Sequence, residues 1–314
     1  MTSVFINRIA TAVPDFDIHN KFIEYCPRLL PDKRSVKVFQ RMAERAQIEQ
    51  RFAFILAKRA LDQLDLSSTT HLVTTTCTGF YAPGLDHQLI HHYGLPGSVE
   101  RTNVGFMGCY AAINALKLAR HIVRSEPDAK VLVLNLELCT LHLKPTGTLE
   151  EILSFAIFSD GCAASIVTAE STGLEIQGFN TDVLPETEAL ITWRIGNQGF
   201  DMQLSGKVPG VIASHLPLMM TKLLDGYQRS DIAHWAIHPG GRTVLDAVKA
   251  GAELEENQLI ASREVLRKFG NMSSATIMFV LQAMMNNPKK PGPGLAMAFG
   301  PGLTVESMIF DLKG

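Results

Sequence analysis

Gly105-Phe-Met-Gly-Cys109-Tyr-Ala-Ala-Ile-Asn-Ala115 is the stretch from which the rest of the chain can be read. A turn with two glycines precedes the cysteine, and Tyr110 to Val123 then runs without Pro or Gly. Ala112, Ile113, Leu116, Ala119, Ile122 and Val123 recur at helical spacing, while Ala111, Ala115 and Leu118 fill the other faces. A helix apolar on nearly all sides is a buried helix. Cys109 stands at its start, where unpaired N–H groups and the helix dipole favour an anion. A thiol so placed has a lowered pKa and becomes a nucleophile. The alternative is the small buried hydrophobe that most free cysteines are.

With 314 residues, 46% of them hydrophobic, the chain can bury a large core in one big or two medium domains. Twenty-nine Lys+Arg against 31 Asp+Glu leave a net charge of −2, which argues against nucleic acid or an anionic membrane as partner. Five unclustered cysteines fit reduced thiols better than a disulfide framework, and no CxxC pair suggests a zinc site. The first ten residues lack a basic segment followed by a long apolar core, and no apolar run reaches the roughly 20 residues that span a bilayer. A cytoplasmic globular protein is expected.

Strands and helices alternate along the chain. Strands are expected at 4–12, 71–76, 99–104, 131–136 and 163–167, and helices at 20–25, 36–48, 56–64, 85–93 and from Tyr110. Arg34, Lys37, Arg41, Arg45 and Arg51 make a basic strip on the helix at 36–48, either a solvated face or a dock for a polyanionic handle. Cys77-Thr-Gly-Phe-Tyr-Ala-Pro-Gly84 is a loop at a strand end, where α/β folds keep their sites. After Glu170 the rhythm restarts, with a strand at 174–181, a β-rich stretch at 191–204, helices at 211–224, 243–249 and 262–268, and strands at 235–237, 295–299 and 303–310. Gly108-Cys109 opening one buried helix corresponds to Gly270-Asn271 opening another. Phe158-Ser-Asp-Gly161 ahead of a strand corresponds to Phe299-Gly-Pro-Gly302. The expectation is a layered α/β fold of two duplicated halves, 1–170 and 171–314, with a site between them.

Three polar residues fall at that junction. His238 follows a strand and precedes Pro-Gly-Gly, and Asn271 follows Gly270 at a helix start. Alone, each reads as structural, Asn271 as an N-cap. With Cys109 they allow Cys–His nucleophilic catalysis with an amide donor, and His238 and Asn271 could share a carbonyl oxygen that becomes an enolate.

Gly105-Phe-Met-Gly-Cys109, Phe158-Ser-Asp160-Gly161, Ile237-His238-Pro-Gly-Gly241, Gly270-Asn271-Met-Ser273-Ser274 and Gly300-Pro-Gly302-Leu-Thr-Val-Glu306 occur in the order, and over nearly the whole chain, that resembles the type III polyketide synthases. These are the chalcone-synthase-like branch of the thiolase superfamily. The resemblance implies a homodimeric, five-layered αβαβα thiolase-like fold and an acyltransferase. Cys109 would take an acyl group from a CoA thioester, and His238 and Asn271 would promote decarboxylation of malonyl-CoA. Phe158 would be the gatekeeper between CoA tunnel and cavity, and Arg41 and Arg45 would meet CoA phosphates. Cys77, Thr78, Ala82, Glu137, Cys139, His142, Trp193, Met202 and Ser273 would form the substrate cavity. No metal or prosthetic group is implied; malonyl-CoA and an acyl-CoA starter are the substrates.

The chain departs from the family in places. Phe54-Ile55 runs straight into Leu56, where the family has a longer excursion. Compared with plant chalcone synthases, Cys77, Cys139 and His142 replace threonines, Ala82 replaces Met and Trp193 replaces Gly. The Thr78, Ala82 and Cys139 set resembles bacterial members that take long acyl starters, so an alkylpyrone or alkylresorcinol is expected; Trp193 argues the other way by filling volume. The rivals are a malonyl-only or aryl-starter polyketide synthase and a β-ketoacyl-ACP synthase III. A Cys-His-Asn hydrolase is disfavoured by the depth of Cys109 in a duplicated chain.

Overall fold

The computed structural model describes residues 2–17, 23–46, 52–53, 57–79, 81–144, 146, 148–197, 199–286 and 290–313. The first half runs β1 (Phe5–Ala12), β2 (Phe16–Asp17), α1 (Lys33–Ala46), β3 (Phe52–Ala53), α2 (Ala57–Leu61), β4 (His71–Thr76), α3 (Leu85–Tyr93), β5 (Glu100–Gly105), α4 (Ala111–Ser125), β6 (Val131–Leu138), α5 (Leu149–Ile157) and β7 (Asp160–Thr168). The second runs β8 (Leu174–Val183), β9 (Ile191–Gly196), β10 (Gly199–Leu204), α6 (Val208–Leu223), β11 (His234–Ile237), α7 (Arg242–Gly251), α8 (Ile260–Phe269), α9 (Thr276–Asn286), β12 (Gly292–Gly300) and β13 (Thr304–Leu312).

Side chains alternate across a strand, and here each face of the strands has its own helices. Val73, Val131 and Val133 turn inward onto α4 and α9, together with Ala236, Ala296 and Ala298 from the other half. The intervening Leu72, Leu132 and Leu134 turn outward onto Leu61 of α2 and Leu89 of α3. On the second half Trp235, Ile237, Leu295 and Met297 turn outward onto Ile212 and Leu216 of α6 and Leu245 and Val248 of α7. The result is five layers, helix–strand–helix–strand–helix, with two apolar helices as the shared middle. This is why the helix after Cys109 is apolar all round.

The sheet is continuous, in the order β11-β12-β13-β8-β1-β7-β6-β4-β5. Its halves are joined only at Phe5↔Glu175 and Ile6↔Leu174. Each half repeats one pattern. In the first, β4 is parallel to β6, β6 antiparallel to β7, and β7 antiparallel to β1. In the second, β11 is parallel to β12, β12 antiparallel to β13, and β13 antiparallel to β8. The duplication expected from the motif pairs is thus a duplication of strand order.

Some local expectations shift. The stretch before Ser159 is a helix, α5, that periodicity alone does not single out, because its apolar residues run on into β7. Its start signal is Thr148 followed by Glu150 and Glu151 in the first turn. The basic helix starts at Lys33 rather than at 36 and is described through Ala46. Residues 20–22 of the helix expected at 20–25, residues 47–48 of the basic helix and the Phe54–Leu56 junction lie outside the described residues, and residues 23–25 are helical. The β-rich stretch 191–204 is a hairpin whose register puts Trp193 opposite Met202.

Ile113 of α4 and Ile277 of α9 are both fully buried in the middle layer. Either Ile→Ala change should cost about 2–5 kcal/mol through lost transfer energy and the cavity left behind. Urea unfolding of each variant against the parent measures it.

Candidate active site

Cys109 sits in a single 3-10 turn, Gly108–Tyr110, that leads into α4, and Asn271 comes just before the corresponding turn, Ser273–Ala275, that leads into α9. Two glycines make these turns possible. Gly108 has φ +74°, and a Cβ there would lie 2.2 Å from Cδ of Pro301, so the Gly300-Pro-Gly302 loop closes directly on the nucleophile's turn. Gly270 has φ +72°, and its Cβ would lie 2.9 Å from Oγ of Ser159. Phe106 (φ 58°) and Ser273 (φ 47°) are non-glycine residues held in the left-handed region, a conformation that clusters at working sites.

The partners of Cys109 come from the second half. His238 follows β11 with its backbone N–H donating to the carbonyl of Met297 at 2.8 Å. The Asn271 amide has a fixed orientation: Oδ1 accepts from the Ser273 N–H at 2.9 Å, and Nδ2 donates to the Gly240 carbonyl, on the His238 loop, at 3.3 Å. Asn271 is therefore more than a cap, because its amide ties the two loops of the second half together. The Asn271 and Ser273 side chains also act on the Cys109 thiol, each favouring its ionised form. Backbone hydrogen bonds then join the halves. Ser159 N–H donates to the Asn271 carbonyl at 2.8 Å, and Asn271 N–H donates to the Ile157 carbonyl at 3.0 Å. Phe158 lies between those two anchors.

Cys109, His238, Asn271 and Phe158 line one cavity of about 580 Å³. Of the expected wall residues, Cys77, Thr78, Cys139, Trp193, Met202 and Ser273 line it as well. Three others do not. Ala82 is exposed, because the loop leaving β4 turns away after Thr78 to reach α3. Glu137 lies behind the wall, accepting from the Cys77 N–H and the Thr78 hydroxyl, each at 3.0 Å, and from the Ser274 hydroxyl. His142 also lies behind it, its Nε2 bonded to the Thr78 carbonyl at 2.8 Å. Within one chain, therefore, Cys139 stands on the cavity wall without Ala82. Sequence reasoning missed Met42, Phe106, Leu153, Val208 and Phe299, which also line the cavity. Phe106 and Phe299 stand inside motifs already singled out; Leu153 belongs to the unrecognised helix. Arg41 is exposed next to Met42, and the Arg45 side chain lies outside the described residues.

Burial governs the charges. It pushes the Cys109 thiol up to about 12, against the smaller pull of Ser273 and Asn271. That corrects the lowered pKa expected from a helix start, since desolvation outweighs the dipole. Burial also pulls His238 down to about 3, and among the described residues neither of its ring nitrogens has a hydrogen-bond partner. Burial thus favours the neutral form of both groups. Among the described residues, no group of three or more His, Cys, Asp or Glu could hold a metal ion, and no helix is long and apolar enough to cross a membrane.

The layered halves that meet at Cys109 are the thiolase-like fold, and the chain is an acyltransferase built on it. Residues 57–171 match the N-terminal domain of chalcone and stilbene synthases and residues 175–312 their C-terminal domain, so the chain belongs to that family, the type III polyketide synthases. It is 36% identical over 271 residues to the alpha-pyrone synthesis polyketide synthase-like Pks18 of Mycobacterium tuberculosis, covering 82% of this chain and 69% of that one. It is 35% identical over 260 residues to the bisdemethoxycurcumin synthase of Oryza sativa, covering 76% and 65%. Its structure is similar to the crystal structure of PKS-I from the brown alga Ectocarpus siliculosus, with a TM-score of 0.91 at 28% identity over 100% of this chain and 99% of that one.

The site carries its own pH signature. Burial raises the Glu137 carboxyl to about 7, against the opposing hydrogen bonds from Ser274, Cys77 and Thr78. The folded chain thus holds this proton more tightly than the unfolded chain, whose carboxyl titrates near 4.5. The stability gained is full below pH 4.5 and is lost as the pH rises through 7, to the extent of about 3 kcal/mol. Glu137→Gln should remove this pH dependence, so the parent-minus-variant difference in unfolding free energy should fall by most of that amount between pH 5 and pH 8, read by urea titrations of both chains.

Proposed function

We propose that the chain catalyses iterative decarboxylative condensation of malonyl-CoA onto an acyl-CoA starter, ending in an alkylpyrone or alkylresorcinol. The observation that carries this reading is the convergence of three groups on one largely apolar cavity: the Cys109 side chain, the Asn271 amide, and a His238 ring whose nitrogens have no hydrogen-bond partner among the described residues. Cys109 gives its proton to His238 as its sulfur attacks the starter's thioester carbonyl, and the CoA thiolate leaves and takes up a proton. Malonyl-CoA then enters. His238 and Asn271 donate to its thioester oxygen, and loss of CO₂ leaves an enolate held on that oxygen. The enolate carbon attacks the acyl-Cys109 thioester and releases the thiolate for another round. Phe158 keeps water from the enolate.

The alkyl starter draws support from the apolar walls, where burial is worth about 0.8 kcal/mol per methylene, and from the name of the mycobacterial relative. Trp193 on the wall favours a short or medium chain over a long one. Arg41 and Arg45 serve the CoA phosphates, Arg41 standing beside Met42 at the cavity's rim. CoA thioesters are the only small molecules required. The chain divides at Glu170–Ser171 into halves that each supply part of the site. It works as a homodimer in the cytoplasm, for which the unpaired outer edge of β5 and the exposed Tyr81, Leu141 and Leu143 offer a contact face.

Intact-mass measurement after incubation with acyl-CoA should show one adduct, absent in Cys109→Ala; an adduct that survives there, or maps to Cys77, refutes the assignment. Asn271→Ala should lose about 100- to 1,000-fold in malonyl decarboxylation while still forming the adduct. Undiminished decarboxylation in that variant would remove Asn271 from the oxyanion role.

A further inference from the structure

Trp193 is held on three sides. Its Nε1–H donates to the Cys77 carbonyl at 2.9 Å. Phe200, from the facing strand of the hairpin, stacks on the indole with centroids 5.0 Å apart and an interplanar angle of 17°. His142 meets the indole edge-on at 5.2 Å and Phe200 at 5.1 Å. Phe200 in turn leans on Phe106, the residue three before Cys109, at 5.6 Å. His142 Nε2 and Trp193 Nε1 thus bond the successive carbonyls of Thr78 and Cys77. Trp193 lines the cavity, whereas Phe200 and His142 stand behind it.

We propose that Phe200 and His142 are positioning residues that select the acyl chain by fixing the Trp193 indole as a rigid wall of the cavity. An indole on a two-stranded hairpin has rotamers that point away from the loop it faces. The hydrogen bond to Cys77 fixes one edge of the ring, and the stack fixes its plane, so the wall stays put when a growing chain presses on it. Offset stacking of this kind shifts rotamer populations by roughly two- to tenfold. Without Phe200 the indole can swing into the space the phenyl ring occupied, and the cavity lengthens by that much.

The inference rests on the polyketide reading for its consequence, but the clamp itself can be read without turnover. The chain has two tryptophans, so Trp235→Phe leaves Trp193 as sole reporter. In that background, Phe200→Ala and His142→Ala should raise acrylamide quenching of Trp193 by about two- to tenfold. Phe200→Leu, which keeps the volume but not the stack, should give an intermediate value. Unchanged quenching in all three overturns the clamp. With malonyl-CoA and a ladder of acyl-CoA starters, Phe200→Ala should accept longer chains or add further extensions, with malonyl decarboxylation unchanged. The Trp193→Ala/Phe200→Ala double variant should match Trp193→Ala alone, because Phe200 acts through the indole. A parental product profile in Phe200→Ala, or additive shifts in the double variant, overturns the selection role. Failure of Cys109 to acylate would sink the polyketide reading and leave the quenching result standing.

Discussion

Two backbone hydrogen bonds, Ser159 N–H to the Asn271 carbonyl and Asn271 N–H to the Ile157 carbonyl, join the halves of the molecule at the place where chemistry is possible. Cys109 belongs to the first half and His238 and Asn271 to the second, so the three come together only when the halves are in register. The sheet contributes little to that register, since β1 and β8 share only two residue pairs. The apolar middle layer supplies the adhesion, but apolar packing is non-directional and would tolerate sliding. The bridge at Phe158 and Asn271 removes that freedom, and Gly270, which admits Ser159 at close range, is the residue that lets it form.

The fold was legible wherever one physical signal dominated. The apolar helix after Cys109 reads as a buried helix, and the apolar run Val131–Leu136 as a strand covered on both faces. Helix α5 was hidden because its apolar residues are continuous with those of β7, and only the Thr148-Leu-Glu-Glu start distinguishes it. That Cys109, His238 and Asn271 come together was legible because each stands at a glycine-marked turn. The cavity wall was legible in part. Cys77, Thr78, Cys139, Trp193 and Met202 fall where the resemblance puts them, but Ala82 does not, because the path of a loop beyond its strand is set by the helix it must reach. Glu137 and His142 were placed one layer too far forward: a family position identifies the neighbourhood of the cavity without saying which side chains reach it.

The charge state was the least legible feature. A helix start predicts a low thiol pKa, yet the same burial that makes α4 a middle-layer helix also strips water from Cys109 and His238. Position and burial pull in opposite directions here, and burial is the larger effect. The site is therefore built to form charge in pairs and briefly. That suits a reaction in which a thiolate, an enolate and a carboxylate must each appear and vanish in turn.

The contact between Gly108 and Pro301 has a consequence for how the molecule is made. The turn that holds the nucleophile is shaped by a loop almost two hundred residues later, and β13, just beyond that loop, is an interior strand flanked by β12 and β8. A ribosome-bound chain that has emerged only as far as α9 has its cysteine, its histidine and its asparagine, but lacks the surface against which the cysteine's turn is pressed. The turn around Cys109 therefore takes its final shape late in synthesis, once the Pro301 loop is in place.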